Sequence, residues 1–180
     1  MFQVAVIGSA SLNQPNHVAL AQAVGRAIAE KGYSLVCGGL GGVMLESCRG
    51  FKELASSGRT IGILPSFEET SANKFIDIIV PTGLDIGRNQ LVVASGFAVV
   101  VIGGGAGTLS EIALASQIGK PIILLKETGG WADKLTDEYL DERGNSRLYH
   151  AQSVEQLKHL LTQLETQPCL SGSINSGHNR

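Results

Sequence analysis

The run Gly103-Gly104-Gly105-Ala106-Gly107-Thr108-Leu109-Ser110-Glu111 carries the clearest chemistry in the chain. It follows an almost purely apolar stretch, Phe97 to Ile102, and precedes an apolar-periodic one. A tight turn alone needs one glycine, and this junction has four. Backbone without side chains can come close to an anion. The first N–H groups of the following helix have no intrahelical partner, and the helix dipole adds positive potential. Gly104, Gly105, Ala106 and Gly107 are therefore expected to hold the phosphate of a small ligand, with the Thr108 hydroxyl as a further donor. Thr108 and Glu111 also have the spacing of a capping box, in which the carboxylate returns to the Thr108 N–H. A carboxylate one turn from a phosphate repels it, so any ligand contact of Glu111 would be to a ribose hydroxyl, a ring N–H or a reacting centre. Capping alone and capping with ligand contact both fit the sequence.

Three other clusters could face the same ligand. Gly38-Gly39-Leu40-Gly41-Gly42 joins a strand to a helix. Its glycines precede the helix, so they are not C-caps, and Gly38, Gly39, Gly41 and Gly42 are read as a ligand-facing wall. Gly8 ends the first strand; Ser9 and Ser11 either donate hydroxyls to the site or satisfy the turn. Arg88 and Asn89 lie near the start of a helix, where the dipole disfavours arginine unless an anion is present. A forked contact from Arg88 to a phosphate or carboxylate would explain it; a solvated surface arginine is the alternative. GxxxxGK[ST] does not occur, and the first loop is not GxGxxG, which argues against a P-loop nucleotidase and a standard dinucleotide oxidoreductase. His17, His150, His159 and His178 show neither metal spacing nor a serine–histidine–acid set and are expected at the surface. Cys37, Cys48 and Cys169 have no CxxC spacing and read as reduced, small apolar side chains, so no metal site is expected.

These loops need a scaffold of alternating strands and helices. Strands are predicted at Phe2–Ile7, Tyr33–Cys37, Thr60–Leu64, Phe75–Val80, Phe97–Ile102 and Pro121–Leu125, with an edge strand at Arg147–Ala151. Helices are predicted from an Asn16 cap to Lys31, over Val43–Ser56, Ile86–Ser95, Thr108–Ile118 and Trp131–Leu140, and after a Ser153 cap with Val154, Leu157, Leu160, Leu161 and Leu164 inside. Such alternation means an α/β, Rossmann-like, doubly wound and mainly parallel sheet with helices on both faces. Ligands of these sheets sit at the carboxyl ends of the strands, where the strand order reverses. With the order 3-2-1-4-5, the loops at Gly8 and Gly103 flank that point. The 180 residues, 43% hydrophobic and 17% charged, suit one domain over 1–167 with a frayed tail at 168–180. A net charge of −2 without a basic patch argues against nucleic-acid binding. Neither a signal peptide nor a membrane-spanning run is read, and a cytoplasmic location is expected.

Gly8-Ser9, Gly38-Gly39-x-Gly41-Gly42-Val43-Met44, Gly87-Arg88-Asn89 and the Gly103–Glu111 run together make the chain, over about Met1 to Leu164, resemble the molybdenum cofactor carrier proteins. These belong to a Rossmann-like superfamily that also holds the "Lonely guy" phosphoribohydrolases, once mislabelled lysine decarboxylases, and DNA-processing protein A. The carrier resemblance implies a homo-oligomer, a tetramer or dimer, that binds molybdenum cofactor, a pterin with a terminal phosphate. The phosphoribohydrolase branch instead cleaves the N-glycosidic bond of nucleoside 5′-monophosphates. Its pattern is PGGxGTxxE with an Arg-Lys pair upstream. Arg88 and Glu111 match its catalytic arginine and glutamate, but Gly103 stands in place of the proline and Asn89 in place of the lysine. Both departures match the carrier branch.

Overall fold

The computed structural model describes residues 2–12 and 15–166. The expected tail, with Cys169 and His178, lies outside the described residues. The chain alternates β1 (Gln3–Gly8), α1 (Pro15–Glu30), β2 (Ser34–Cys37), α2 (Val43–Phe51), β3 (Thr60–Leu64), β4 (Ile78–Pro81), α3 (Asn89–Ser95), β5 (Ala98–Ile102), α4 (Ala106–Gln117), β6 (Ile122–Leu125), α5 (Gly130–Lys134), β7 (Leu148–Ala151) and α6 (Val154–Glu165). The strands form a seven-stranded sheet in the order β4-β3-β2-β1-β5-β6-β7, and every pairing is parallel. The inner five strands run β3-β2-β1-β5-β6, the expected doubly wound pattern once β4, the fourth strand in the chain, is set aside at the edge beside β3; β7 extends the other edge. The order reverses between β1 and β5, whose residues pair from Val4↔Ala98 to Gly8↔Ile102.

Alternating side chains serve the two faces, because successive Cβ atoms of a strand point to opposite sides. Val4 and Val6 of β1 join Val100 and Ile102 of β5 in a core covered by α1, α2 and α6. Ala5 and Ile7 join Val99 and Val101 in a second core covered by α3, α4 and α5. The central strands are buried on both faces, which is why they read as unbroken apolar runs.

Several boundaries differ from expectation, each for a local reason. Asn16 does not cap α1; Pro15 opens it, at a position where a missing N–H costs nothing. α2 stops at Phe51 rather than Ser56. Ser56 turns its hydroxyl to the Ala29 carbonyl and accepts the Gly58 N–H, an alternative to continuing the helix. The segment before β5 is a 3₁₀ turn, Asp85–Arg88, followed by α3. α5 ends at Lys134 rather than Leu140, because the Lys126 ammonium takes the carbonyls of Ala132, Asp133 and Leu135. α4 begins at Ala106, two residues before Thr108, so Gly105 is its N-cap and the Thr108–Glu111 capping box does not form. Ser153 caps α6 as expected, accepting the Gln156 N–H at 3.2 Å.

Candidate anion-binding site

The loops after β1, β2 and β5 meet at the carboxyl edge of the sheet, and Ser9 ties them together. Its N–H donates to the Ile102 carbonyl, its carbonyl accepts the Val43 N–H at 3.0 Å, and its hydroxyl accepts the Gly104 N–H at 2.9 Å. The Thr108 hydroxyl donates to the Gly8 carbonyl at 3.0 Å. Both hydroxyls are thereby engaged within the protein. The first N–H groups of α4, at Ala106, Gly107 and Thr108, have no residue four positions back in the helix to bond. Gly105 and Gly107 face open space, with nothing within 4 Å of where a Cβ would stand.

This helix start borders a cavity of about 310 Å³, at the small end of the range typical of ligand pockets. Gly8, Gly38, Arg88, Asn89, Gly105, Gly107, Thr108 and Glu111 line it, joined by the apolar side chains of Leu40, Met44 and Ile86. Gly104 is buried behind the loop and Ala106 is exposed beside it. Gly39, Gly41 and Gly42 shape the second loop from behind: Gly39 offers its carbonyl to Asn73, and Gly41 and Gly42 back onto Ala10 and Ser9. Ser11 is exposed and Ser9 lies beneath the loop, so neither is among the lining residues. The apolar walls carried no signal in the sequence, since Ile86, Leu40 and Met44 read as ordinary apolar residues between glycines.

Arg88 and Glu111 supply the charge. The Arg88 guanidinium packs against Gly38: a Cβ there would stand 2.0 Å from Nη1 and 2.5 Å from Cζ. Its Nε is buried with no hydrogen-bond partner, while the residue itself is among those that line the cavity. Glu111 is buried, 8% exposed. Burial pushes its carboxyl up to about 7, against the pull of the Arg88 charge. Among the described residues no ion pair joins Glu111 to Arg88. Asn89 gives its amide N–H to the Ser110 hydroxyl at 3.1 Å, linking α3 to α4. No three His, Cys, Asp or Glu side chains among the described residues gather as a metal site would require. Cys37 and Cys48 are free, buried thiols with their sulfurs 3.7 Å apart.

The SLOG cluster4 family matches residues 1–158. The chain belongs to that family. Among similar solved structures is the molybdenum cofactor binding protein of the phototrophic bacterium Rippkaea orientalis. It is 35% identical, with a TM-score of 0.80, and the match covers 92% of this chain and 98% of that one. The molybdenum cofactor carrier protein of Chlamydomonas reinhardtii is 32% identical with a TM-score of 0.79, covering 93% of this chain and 100% of that one. A cytokinin riboside 5′-monophosphate phosphoribohydrolase of Mycobacterium tuberculosis is 30% identical over 84% of this chain and 89% of its own length. The Rossmann-like superfamily expected from the glycine motifs is the one found.

Within this SLOG cluster4 chain, one backbone angle bears on the two branches. Gly103 has φ +63°, whereas a proline ring fixes φ near −65°. The loop in this conformation cannot carry the proline of the PGGxGTxxE pattern. No helix among the described residues is long and apolar enough to cross a membrane.

Proposed function

We propose that the protein binds molybdenum cofactor and holds it for delivery, as a cytoplasmic homo-oligomer. The phosphate would rest on the N–H groups at the start of α4, with Arg88 as its cationic partner. The pterin would run along the loops at Gly8 and Gly38, against Leu40, Met44 and Ile86. The observation that carries this reading is that a bare helix start and the Arg88 side chain line one cavity. The likeness to the Rippkaea and Chlamydomonas proteins, and a Gly103 angle closed to proline, support cofactor over nucleotide. The test is to purify the protein from cells that make the cofactor and measure molybdenum and phosphorylated pterin per chain. Near-stoichiometric loading is expected, falling strongly in Arg88→Ala. A wild-type protein that acquires neither metal nor pterin overturns the reading.

A second reading rests on Glu111. Its buried carboxyl shares the cavity with Arg88, and the Mycobacterium tuberculosis relative is named for phosphoribohydrolysis. In a hydrolase the α4 loop would hold the 5′-phosphate while Glu111 contacts the ribose and positions water; a carboxylate there stabilises oxocarbenium-like charge. Incubation with nucleoside 5′-monophosphates would then release free base, and Glu111→Gln would abolish release without abolishing binding. No base released by the wild type removes this reading.

A further inference from the structure

The glycine loop before α4 has a front, which borders the cavity, and a back. The back is held by the turn between β6 and α5, 25 residues further along the chain. Thr128 is buried, and its hydroxyl accepts the Gly103 N–H at 2.8 Å while donating to the Leu125 carbonyl at 2.6 Å. The N–H groups of Trp131 and Ala132 donate to the carbonyls of Gly104 and Gly103 at 3.1 and 3.0 Å. The same turn is closed by Asp133, whose carboxylate accepts the N–H groups of Glu127 and Gly129 at 2.8 and 2.7 Å. Every polar backbone group of Gly103 and Gly104 therefore has a partner on this turn or on Ser9. The pair is held at φ +63° and +107°, angles that set the direction in which the next N–H groups point. Thr128 and Asp133 are not among the residues that line the cavity.

We propose that Thr128 is the positioning residue of the anion loop, fixing the Gly103 and Gly104 peptides so that the N–H groups of the residues after them converge on one phosphate. The inference rests on the anion-site reading above and extends it to a turn that does not touch the ligand. Valine has nearly the shape of threonine but can neither accept from Gly103 nor donate to Leu125. Serine keeps both bonds. Rotating a peptide away from a charged acceptor loses a hydrogen bond of the stronger kind, which corresponds to about tenfold or more in affinity.

The experiment is calorimetric titration of wild type, Thr128→Val, Thr128→Ser and Asp133→Ala with inorganic phosphate and with ribose 5-phosphate, each with a thermal melt. Thr128→Val is expected to bind both probes about tenfold more weakly or worse, with Thr128→Ser restored to the wild-type value. Asp133→Ala is expected to fold, since Asp133 is partly exposed, and to bind more weakly because the turn is no longer closed. A folded Thr128→Val that binds as the wild type does overturns the proposal. If Thr128→Val does not fold, Asp133→Ala decides: weakened binding supports the proposal and unchanged binding overturns it. A wild type that binds neither probe overturns the anion-site reading itself, a result distinct from a wild type and a Thr128→Val that bind alike.

Discussion

Glu111 is neutral across the mildly acidic range in which an ordinary glutamate is already charged. In the unfolded chain its carboxyl releases its proton near 4.5; in the folded protein it holds the proton until about 7. Between those values the folded state binds more protons than the unfolded one. Stability therefore falls as pH rises from about 4.5 to 7 and levels off above, at a total cost of about 3 kcal/mol if the full shift is realised. Glu111→Gln removes the ionisation while keeping the shape. It is expected to match the wild type near pH 4.5 and to be more stable at pH 8 by about 1–3 kcal/mol, read from urea unfolding at both values. An equal difference at the two pH values would mean that burial of the charge is not what sets the wild-type behaviour. The place of Glu111, one turn after a glycine loop, marked it in the sequence. Its burial could not be read there, because the residues that share its cavity, Arg88 and Gly38 among them, come from other parts of the chain.

At the scale of elements, the alternation of strand and helix was legible because each junction is punctuated. β5 runs apolar for its whole length and then meets glycines, as only a strand covered on both faces does. Helix ends were less legible where side chains from elsewhere decide them, as Lys126 does for α5. α4 starts two residues before the position its sequence suggests, since Thr108 looks like a cap and is in fact a clasp onto Gly8. The loop before α4 gives a sharper test of the conformation itself. Gly103→Pro replaces a residue at φ +63° with one confined near −65° and deletes the N–H given to Thr128. Strain of this kind costs on the order of 1–3 kcal/mol, and the unpaired Thr128 adds to it. Gly103→Pro is expected to lower the melting temperature and to abolish phosphate binding. A variant that folds and binds normally would show that the loop can take the proline-containing form, and would return weight to the phosphoribohydrolase reading.

Across the whole molecule the two ends of the sheet are built differently. The residues just before β1, β2 and β5 are Phe2, Tyr33 and Phe97, and their rings pack edge to face with centroids 5.0 to 5.7 Å apart. That aromatic plug seals the amino ends, while glycines keep the carboxyl ends open. Beside the open end the chain exposes Phe67 (78%), Ile86 (79%) and Leu84 (52%). Phe67 is seated on Gly83, where a Cβ would stand 2.2 Å from its ring, and Ile86 is also a wall of the cavity. Side chains of this size each gain about 1.5–3 kcal/mol when fully buried, so their exposure is a reason to expect the association proposed above. The measurement is light scattering on the size-fractionated protein. The wild type is expected at a multiple of the chain mass, and the double variant Phe67→Glu with Ile86→Glu at a single chain mass with its melting transition retained. A double variant that keeps the wild-type mass would place the contact elsewhere, and a wild type of single-chain mass would remove the homo-oligomer from the proposed function while leaving the cavity and its anion loop untouched.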